Sequence, residues 1–578
     1  MLFIERDPNK AYVDFNLWLP LTKVNINAIK GALTLVDPKD SEAQYRLYRI
    51  TRNHVVVPRH YTFNFNDVEL VDLRPKSFPK VDIYSKIVLD LKYPTETTQK
   101  DAVVAMLGAF DGTLQLACGG GKSVIAAEIA ARRAEPTLIL VESNQLLRQW
   151  YALLSKVLDI PGGIGLIQAD TCDWRKPIVL GTYKTLATKA YEFPQEMRYY
   201  FGQIFWDEGH HLPAPMYLRT ADLFIGRRYL LTATPVRSDG MHIISQLHTG
   251  KVVYKNLHQR LRPRIHFYRT GFSLEIEDPK VREAVRDVRG ELHITKLYSY
   301  MATDRARLQT IVDTVRAYKE QNGKTLVLGW TVNELVNLLA LWNNCPTLYS
   351  DIPYPTMEDI GKPNERAYDG DYEPSKIKET KAAIAQLTKR LEDKSISAAT
   401  RAALEKELKR AEGKLHLLSN RRLLESEYNR RRKEYLDALI AMPSDAGLMI
   451  ENVDEDLRTK MFQERAVTFA VFKYGREGLD SEDLANVFAC EPMSDPGLIQ
   501  QFMGRVLREV VGRTKIPQVV FMEDDVSLLR GMCFNIKRLF DNWPADEGGP
   551  YTYELINYPE EELQRQRKRS PAPSVRTK

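Results

Sequence analysis

From Leu114 to about Gly250, short apolar runs alternate with helix-forming stretches: LQLA, VIAAEIAARRA, TLILV, QLLRQWYALLSKVL, PIVLGTY, QIFWDEG and RRYLLTATP follow one another. Such alternation calls for a parallel sheet with helices on both faces, because each parallel neighbour is reached by a crossover. LHITKLYS opens a second series as a strand-like run before the helix DRARLQTIVDTVRAYKEQNG. The series continues through TLVLGW and NELVNLLALW, resumes at VTFAVFKYG and ANVFACEPMSD, and ends with the helix LIQQFMGRVLREV and the strand QVVFM. The expected fold class is α/β, with two such domains in tandem.

Inside the first series the strand LQLA stops at Cys118 and gives way to Gly119, Gly120, Gly121, Lys122 and Ser123, followed by good helix formers. A strand, a glycine turn and a helix opening on Lys-Ser is the layout of a phosphate cradle. Glycines let backbone N–H groups close on phosphate oxygens, and the helix N-terminus adds partial positive charge. Lys122 would reach the β and γ phosphates, and the Ser123 hydroxyl would ligate Mg²⁺. The full GxxxxGK[ST] pattern is not met, because residue 116 is leucine, and a glycine-rich turn with a chance lysine would read the same way.

QIFWDEGHH, residues 203 to 211, supports the cradle. Here an apolar strand ends in Asp207 and Glu208, which strand alternation points in different directions. One carboxylate can then hold Mg²⁺ through water while its neighbour orients an attacking water as general base. Acidic strand ends are common by chance; one in the same sheet as a glycine-lysine-serine turn is a nucleotide site.

ACGGGKS, DEGH, LTATP at 231 to 235 and QFMGRVLR at 501 to 508 resemble, in order, motifs I, II, III and VI of superfamily 2 helicases and translocases, over roughly residues 93 to 520. The resemblance implies two RecA-like domains, ATP bound in the cleft between them, nucleic acid lying across both, and cleft closure as the motor stroke. It assigns Lys122, Asp207, Glu208, His210, Gln501, Arg505 and Arg508 to catalysis, and Ser123 and Asp207 to the metal. Gln99 would read adenine, although the arginine usual shortly before it is absent. Cys118 and the three glycines would line the nucleotide. His210, with Thr232, Ala233 and Thr234, would couple the ATP site to the strand track. Arg505 and Arg508, three apart on one helix, would neutralise charge on the γ-phosphate. YGREGLD resembles motif V, where Gly478 and Asp480 would contact sugar hydroxyls. LLRQW, GTYKTL, LTATPVRSDG and HTGKVVY are similar to a branch that includes XPB-type helicases, phage branch-migration helicases and the poxvirus transcript-release helicase.

Contacts to the track fall on Ser143, Asn144, Thr182 and Thr331, each of which also reads as a plain cap or turn residue. Between the halves of the second series, residues 351–374 look like a polar loop and Ser375 to Met442 like a helical hairpin turning at Ser395 to Ser397, self-packed along a heptad seam that includes Leu387 and Leu404. Its far end carries Arg421, Arg422, Arg430, Arg431, Arg432 and Lys433, either a solvated face or a polyanion contact. Tyr45, Arg46, Tyr48, Arg49, Arg52, Arg59, His60 and Tyr61 interleave bases and aromatics, as a nucleic-acid surface or an ordinary sheet would. The tail from Arg565 has no apolar periodicity and reads as disordered.

The expected limits are a small N-terminal α+β domain at 1–90, a first RecA-like domain at 91–255, a second in two parts at 256–350 and 443–535, the loop and helical insertion at 351–442, and an extension with a basic tail at 536–578. A net charge of +6 over 82 basic and 76 acidic residues permits a polyanion partner without requiring one. The five scattered cysteines show no zinc spacing, no apolar run approaches a membrane span, and the N-terminus lacks a secretion signal. A cytoplasmic setting in a bacterial or virus-infected cell is expected. Together these readings imply an ATP- and Mg²⁺-dependent 3′ to 5′ DNA helicase or translocase acting on forked or branched DNA in recombination, repair or replication, as a phage-type enzyme would. The alternatives are an RNA-directed ATPase, and a motor subunit of a transcription or restriction complex that docks a protein partner through the 375–442 hairpin.

Overall fold

The computed structural model describes residues 6–37, 40–91, 96–117, 119–233, 240–258, 261–274, 278–355, 375–391, 398–476, 481, 483–507 and 515–561. The chain divides into two compact units, one of Met1–Glu277, Val315–Leu328 and Ala470–Lys578, the other of Asp278–Thr314 and Gly329–Phe469.

The first unit contains the parallel sheet expected from the first series. Its strands lie in the order Thr171–Cys172, Ile164–Gln168, Ile178–Thr182, Thr137–Val141, Gln203–Asp207, Arg227–Thr232, Gly112–Leu116 and Val252–Asn256. All neighbours are parallel except the short outermost pair. Central strands read as unbroken apolar runs because both faces are covered. Alternate residues feed two cores: Ile139, Val141 and Phe205 enter one with the helices Thr98–Gly108, Lys122–Arg133 and Asn144–Val157, while Leu138, Leu140, Ile204 and Trp206 enter the other with Tyr183 and Leu186. Further along the same unit, strands of a second parallel sheet run in the order Thr325–Gly329, Asn486–Ala489, Gln518–Asp525, Arg264–Ser273 and Tyr553–Ile556. Both expected α/β blocks are present.

LHITKLYS is not a strand. Ile294–Met301 is a helix that buries Leu297, Tyr298 and Met301 on one stripe, a tertiary preference that overrides the β-like composition of the run. The helix expected through LIQQFMGRVLREV is Pro496–Gly504 and stops there. The limit drawn at 535 falls inside the helix Ser527–Asp541.

The N-terminal region forms a five-stranded sheet in the order Arg49–Ile50, His54–Val57, Leu17–Pro20, Ala11–Val13 and Leu70–Asp72, with the helix Ile26–Leu33 capped by Asn25. Its core takes in Met241 and Ile244, so it packs on the helix His242–Thr249. The strand His54–Val57 ends before Arg59, whose side chain is buried rather than presented on a surface. Arg59 is buried, donating to Asp111 at 3.1 Å and to the carbonyls of Ile225 and Gly226, while His60 Nε2 lies 2.9 Å from Asp111. Arg228, also buried, donates from its backbone N–H to Asp111 and from its guanidinium to the carbonyls of Phe15 and His248. One carboxylate therefore ties the N-terminal sheet to the α/β sheet.

In the second unit the helices Ser375–Leu391 and Ala398–Ala441 pack against each other as the expected hairpin, with Leu387 and Leu404 buried. Ala446–Met449 lies beside Val467–Val471. The expected turn at Ser395 to Ser397, most of the loop at 351–374, the side chains of Arg421 and Arg422, and the tail from Arg565 lie outside the described residues. No described helix is long and apolar enough to cross a membrane.

Candidate nucleotide site

Three neighbouring parallel strands, Gly112–Leu116, Arg227–Thr232 and Gln203–Asp207, end together, with Thr232 beside Gln115 and Asp207 beside Leu231. Their carboxyl ends present the glycine turn, Thr232 and the acidic pair side by side, where open parallel sheets place ligands. Gly119 and Gly121 have φ of 80° and 84°, a left-handed backbone that favours glycine. A Cβ at Gly121 would also meet Gln99 Nε2, which lies against it. The helix Lys122–Arg133 starts at once, so its free N–H groups face the turn. Lys122 Nζ donates to the Leu116 carbonyl at 3.4 Å, and both Lys122 and Ser123 are half-buried.

Asp207 is buried at the end of its strand, and both its oxygens are held. Oδ2 accepts from the Trp150 indole N–H at 2.7 Å and Oδ1 from the Glu208 backbone N–H at 3.0 Å, while the Tyr183 hydroxyl donates to the Asp207 carbonyl at 2.8 Å. Glu208 sits at φ 47°, turned off the strand direction, with Oε2 3.3 Å from His210 Nδ1. Burial, together with the neighbouring Glu208 carboxylate, pushes Asp207 up to about 6. Burial opposes ionisation of Glu208 as well, but the hydrogen bond from His210 and the charge of Lys122 outweigh it and hold the group down to about 2. Burial and the adjoining charge thus act against Asp207, while the His210 bond favours Glu208, so Glu208 is the more readily ionised of the two.

His210 joins these groups to a distant part of the chain. Its Nδ1 lies 3.4 Å from Thr232 Oγ1, and its Nε2 lies 3.4 Å from Gln501 Nε2 on the helix Pro496–Gly504. Placing the ring proton on Nδ1 satisfies both sides, with Nδ1–H donating to Glu208 and the Gln501 amide donating to Nε2. Burial lowers the His210 pKa, in keeping with that neutral ring. His211 Nε2 is 2.8 Å from Glu142 Oε2.

Arg505 is half-buried just past the end of the same helix. The helix ends at Gly504, so Arg505 is not on it; Arg508, and with it the expected pairing of the two arginines, lies outside the described residues, as do Cys118, Thr234, Gly478 and Asp480. Ala233 offers its carbonyl to Gln115 Nε2 at 3.5 Å. Gln99 is engaged by Asp90: its Oε1 accepts from the Asp90 backbone N–H at 2.8 Å, and Asp90 accepts in return from the Gln99 N–H.

Ser143, Thr182 and Thr331 are N-caps, each accepting from the backbone N–H three residues on, and Asn144 is exposed at the first helical position after Ser143. In the second unit Arg430 bridges Glu427 and Glu434, Arg431 bridges Glu427, and Arg432 donates to Asn333 with its guanidinium 4.0 Å over Tyr349. Arg430, Arg431 and Arg432 therefore already have partners within their own unit.

Asp90, Glu142, Trp150 and Tyr183 were not singled out as site residues from the sequence. Trp150 carried the clearest signal, a residue with one N–H on the core-facing stripe of the helix Asn144–Val157, and a buried indole seeks an acceptor.

Residues 92–237 match the family described as Type III restriction enzyme, res subunit. The chain is 28% identical over 294 residues to DNA 3′-5′ translocase XPB2 of Sulfurisphaera tokodaii, covering 48% of this chain and 62% of that protein. It is 35% identical over 147 residues to DNA 3′-5′ helicase XPB of Kineococcus radiotolerans, covering 25% and 26%. It is 27% identical over 245 residues to the putative ATP-dependent RNA helicase L396 of Acanthamoeba polyphaga mimivirus, covering 40% and 45%. The chain spans less than two thirds of the length of each of these relatives. These similarities, like the ordered motifs, are to helicases and translocases.

Proposed function

We propose that this chain, a superfamily 2 protein by motif and by match, is an ATP-driven DNA helicase or translocase moving 3′ to 5′ on forked or branched DNA, in recombination, repair or replication. One observation carries the reading: a single imidazole, His210, lies within 3.4 Å of Glu208, Thr232 and Gln501. That ring touches the acidic strand end, the neighbouring strand and the helix of the last sequence motif, so a change at the nucleotide can be felt at all three.

ATP is assigned to the glycine turn, with Gly119, Gly120, Gly121 and Cys118 around the phosphates and Lys122 swinging from the Leu116 carbonyl to the β and γ oxygens. Ser123 and Asp207 are hard oxygen donors of the kind Mg²⁺ takes, one hydroxyl and one carboxylate, leaving places for phosphate and water. When bound there, Mg²⁺ would neutralise phosphate charge. Glu208, held ionised, can accept a hydrogen bond from the attacking water and orient it. Arg505, with Arg508, supplies positive charge, and Gly478 and Asp480 contact the sugar. Ser143, Asn144, Thr182 and Thr331 stand at helix N-termini, where N–H groups can hold backbone phosphates without reading sequence. Arg430, Arg431 and Arg432 join that track only by exchanging their present partners. The 375–442 hairpin remains the candidate dock for a protein partner, the domain limits are those given from the sequence except at 535, which moves past the helix Ser527–Asp541, and an intracellular setting goes with ATP and DNA as substrates.

Similarity to a relative named as an RNA helicase keeps RNA as the second reading. The test measures ATP hydrolysis and strand displacement on DNA forks with 3′ or 5′ tails and on single-stranded RNA. Stronger stimulation by forked DNA and displacement on 3′ tails support the first reading; stronger stimulation by RNA replaces it with the second.

A further inference from the structure

Asp90 sits just before the helix Thr98–Gly108, is 6% exposed, and has φ 56°. Aspartate is one of the few residues that take this conformation at small cost. Its two carboxylate oxygens accept from the backbone N–H groups of Gln99 at 2.8 Å and Lys100 at 3.2 Å, anchoring the start of that helix. Its own backbone N–H donates to Gln99 Oε1 at 2.8 Å. A backbone N–H cannot accept a hydrogen bond, so the Gln99 amide is fixed with its oxygen toward Asp90 and its NH₂ group away from it. That NH₂ group lies against Gly121, where a Cβ would collide with it.

We propose that Asp90 is a positioning residue for nucleotide recognition, turning Gln99 so that it offers donors to whatever lies on the glycine turn. The inference rests on the nucleotide reading of that turn. The atom met by Gln99 must then be an acceptor, either a purine ring N7 or a phosphate oxygen. An amide free to turn would instead present both of its edges to the base.

The test uses the full chain at saturating forked DNA, with ATP and 7-deaza-ATP as probes. Asp90→Ala keeps the backbone N–H but removes both carboxylate bonds that hold that N–H against Gln99, so it raises the KM for ATP roughly tenfold and leaves kcat within about twofold. Asp90→Asn keeps an acceptor and the backbone donor, and stays near wild type. Gln99→Glu keeps the shape and the bond from Asp90 but replaces the outward NH₂ by an oxygen; it raises KM at least as much and guards against Asp90→Ala failing through the fold. If 7-deaza-ATP abolishes the effect of Asp90→Ala, the acceptor is N7; if the effect persists, the acceptor is a phosphate. An unchanged KM in both Asp90→Ala and Gln99→Glu, with Lys122→Ala inactive, overturns the proposal and leaves the nucleotide site standing. Undiminished ATP binding and hydrolysis in Lys122→Ala overturns both.

Discussion

Gln501 Nε2 and His210 Nε2 are 3.4 Å apart. They are separated by about half of the chain, and the imidazole between Glu208 and Gln501 links the acidic strand end to the last motif. Gln501→Ala should lower kcat for DNA-stimulated ATP hydrolysis by about tenfold to a hundredfold with little change in KM, because the contact serves turnover rather than binding. His210→Ala should do the same, and the double variant should be no worse than either, since residues acting as one unit are non-additive. Steady-state kinetics of the three variants checks this; additive losses would break the link.

Trp150 gives its indole N–H to a buried carboxylate, so Trp150→Phe keeps most of the packing and removes the donor. Stability should fall by about 1–3 kcal/mol, and turnover should fall with it because Asp207 loses one of its two fixed orientations. Denaturant melts read the first effect and hydrolysis rates the second.

Asp111 pairs with Arg59 and receives the Arg228 backbone N–H in a buried setting. Asp111→Asn leaves the shape and removes the charge that balances two buried guanidinium groups. A loss of about 3–5 kcal/mol is expected, the cost of stranding a buried charge. Although burial opposes it, Arg59 and the His60 hydrogen bond hold this carboxylate down to about 2. Its contribution is therefore complete above the ordinary value of 3.8 and is lost only as pH falls from there to about 2. Melts of wild type and Asp111→Asn should converge at the acid end of that window.

His248 responds in a milder range. Burial, with Arg228 nearby and Asp222 opposing, pushes its imidazole from 6.5 down to about 4. The folded state keeps the ring neutral while the unfolded chain takes up a proton, so stability is full above 6.5 and drains as pH falls toward 4. Acidifying from pH 7 to 5 should cost about 2 kcal/mol in wild type and distinctly less in His248→Gln. Parallel denaturant melts at the two pH values test it.

The strand ends were legible because they depend on local pattern. Alternation around QIFWD and LQLA fixes which residues leave the sheet at its carboxyl edge, and Lys122, Asp207, His210 and Thr232 stand at those ends. Gln501 could be brought to His210 only through motif order, since nothing in the local letters spans that separation. Arg59 and Asp111 were illegible for the same reason: a buried pair 52 residues apart looks in sequence like two ordinary surface charges. Asp90 lies close to Gln99, yet its role depends on a left-handed backbone that composition does not announce. LHITKLYS misleads because β-branched and aromatic residues also line the buried stripe of a short helix.

The most direct measurement is ATP hydrolysis by the wild-type chain and by Lys122→Ala, each with and without forked DNA, alongside DNA binding by both. The account predicts hydrolysis stimulated by DNA in the wild type and abolished in Lys122→Ala, with DNA affinity kept within a few-fold. Hydrolysis that survives the loss of Lys122, or a wild-type chain that hydrolyses no ATP with any nucleic acid, would contradict it.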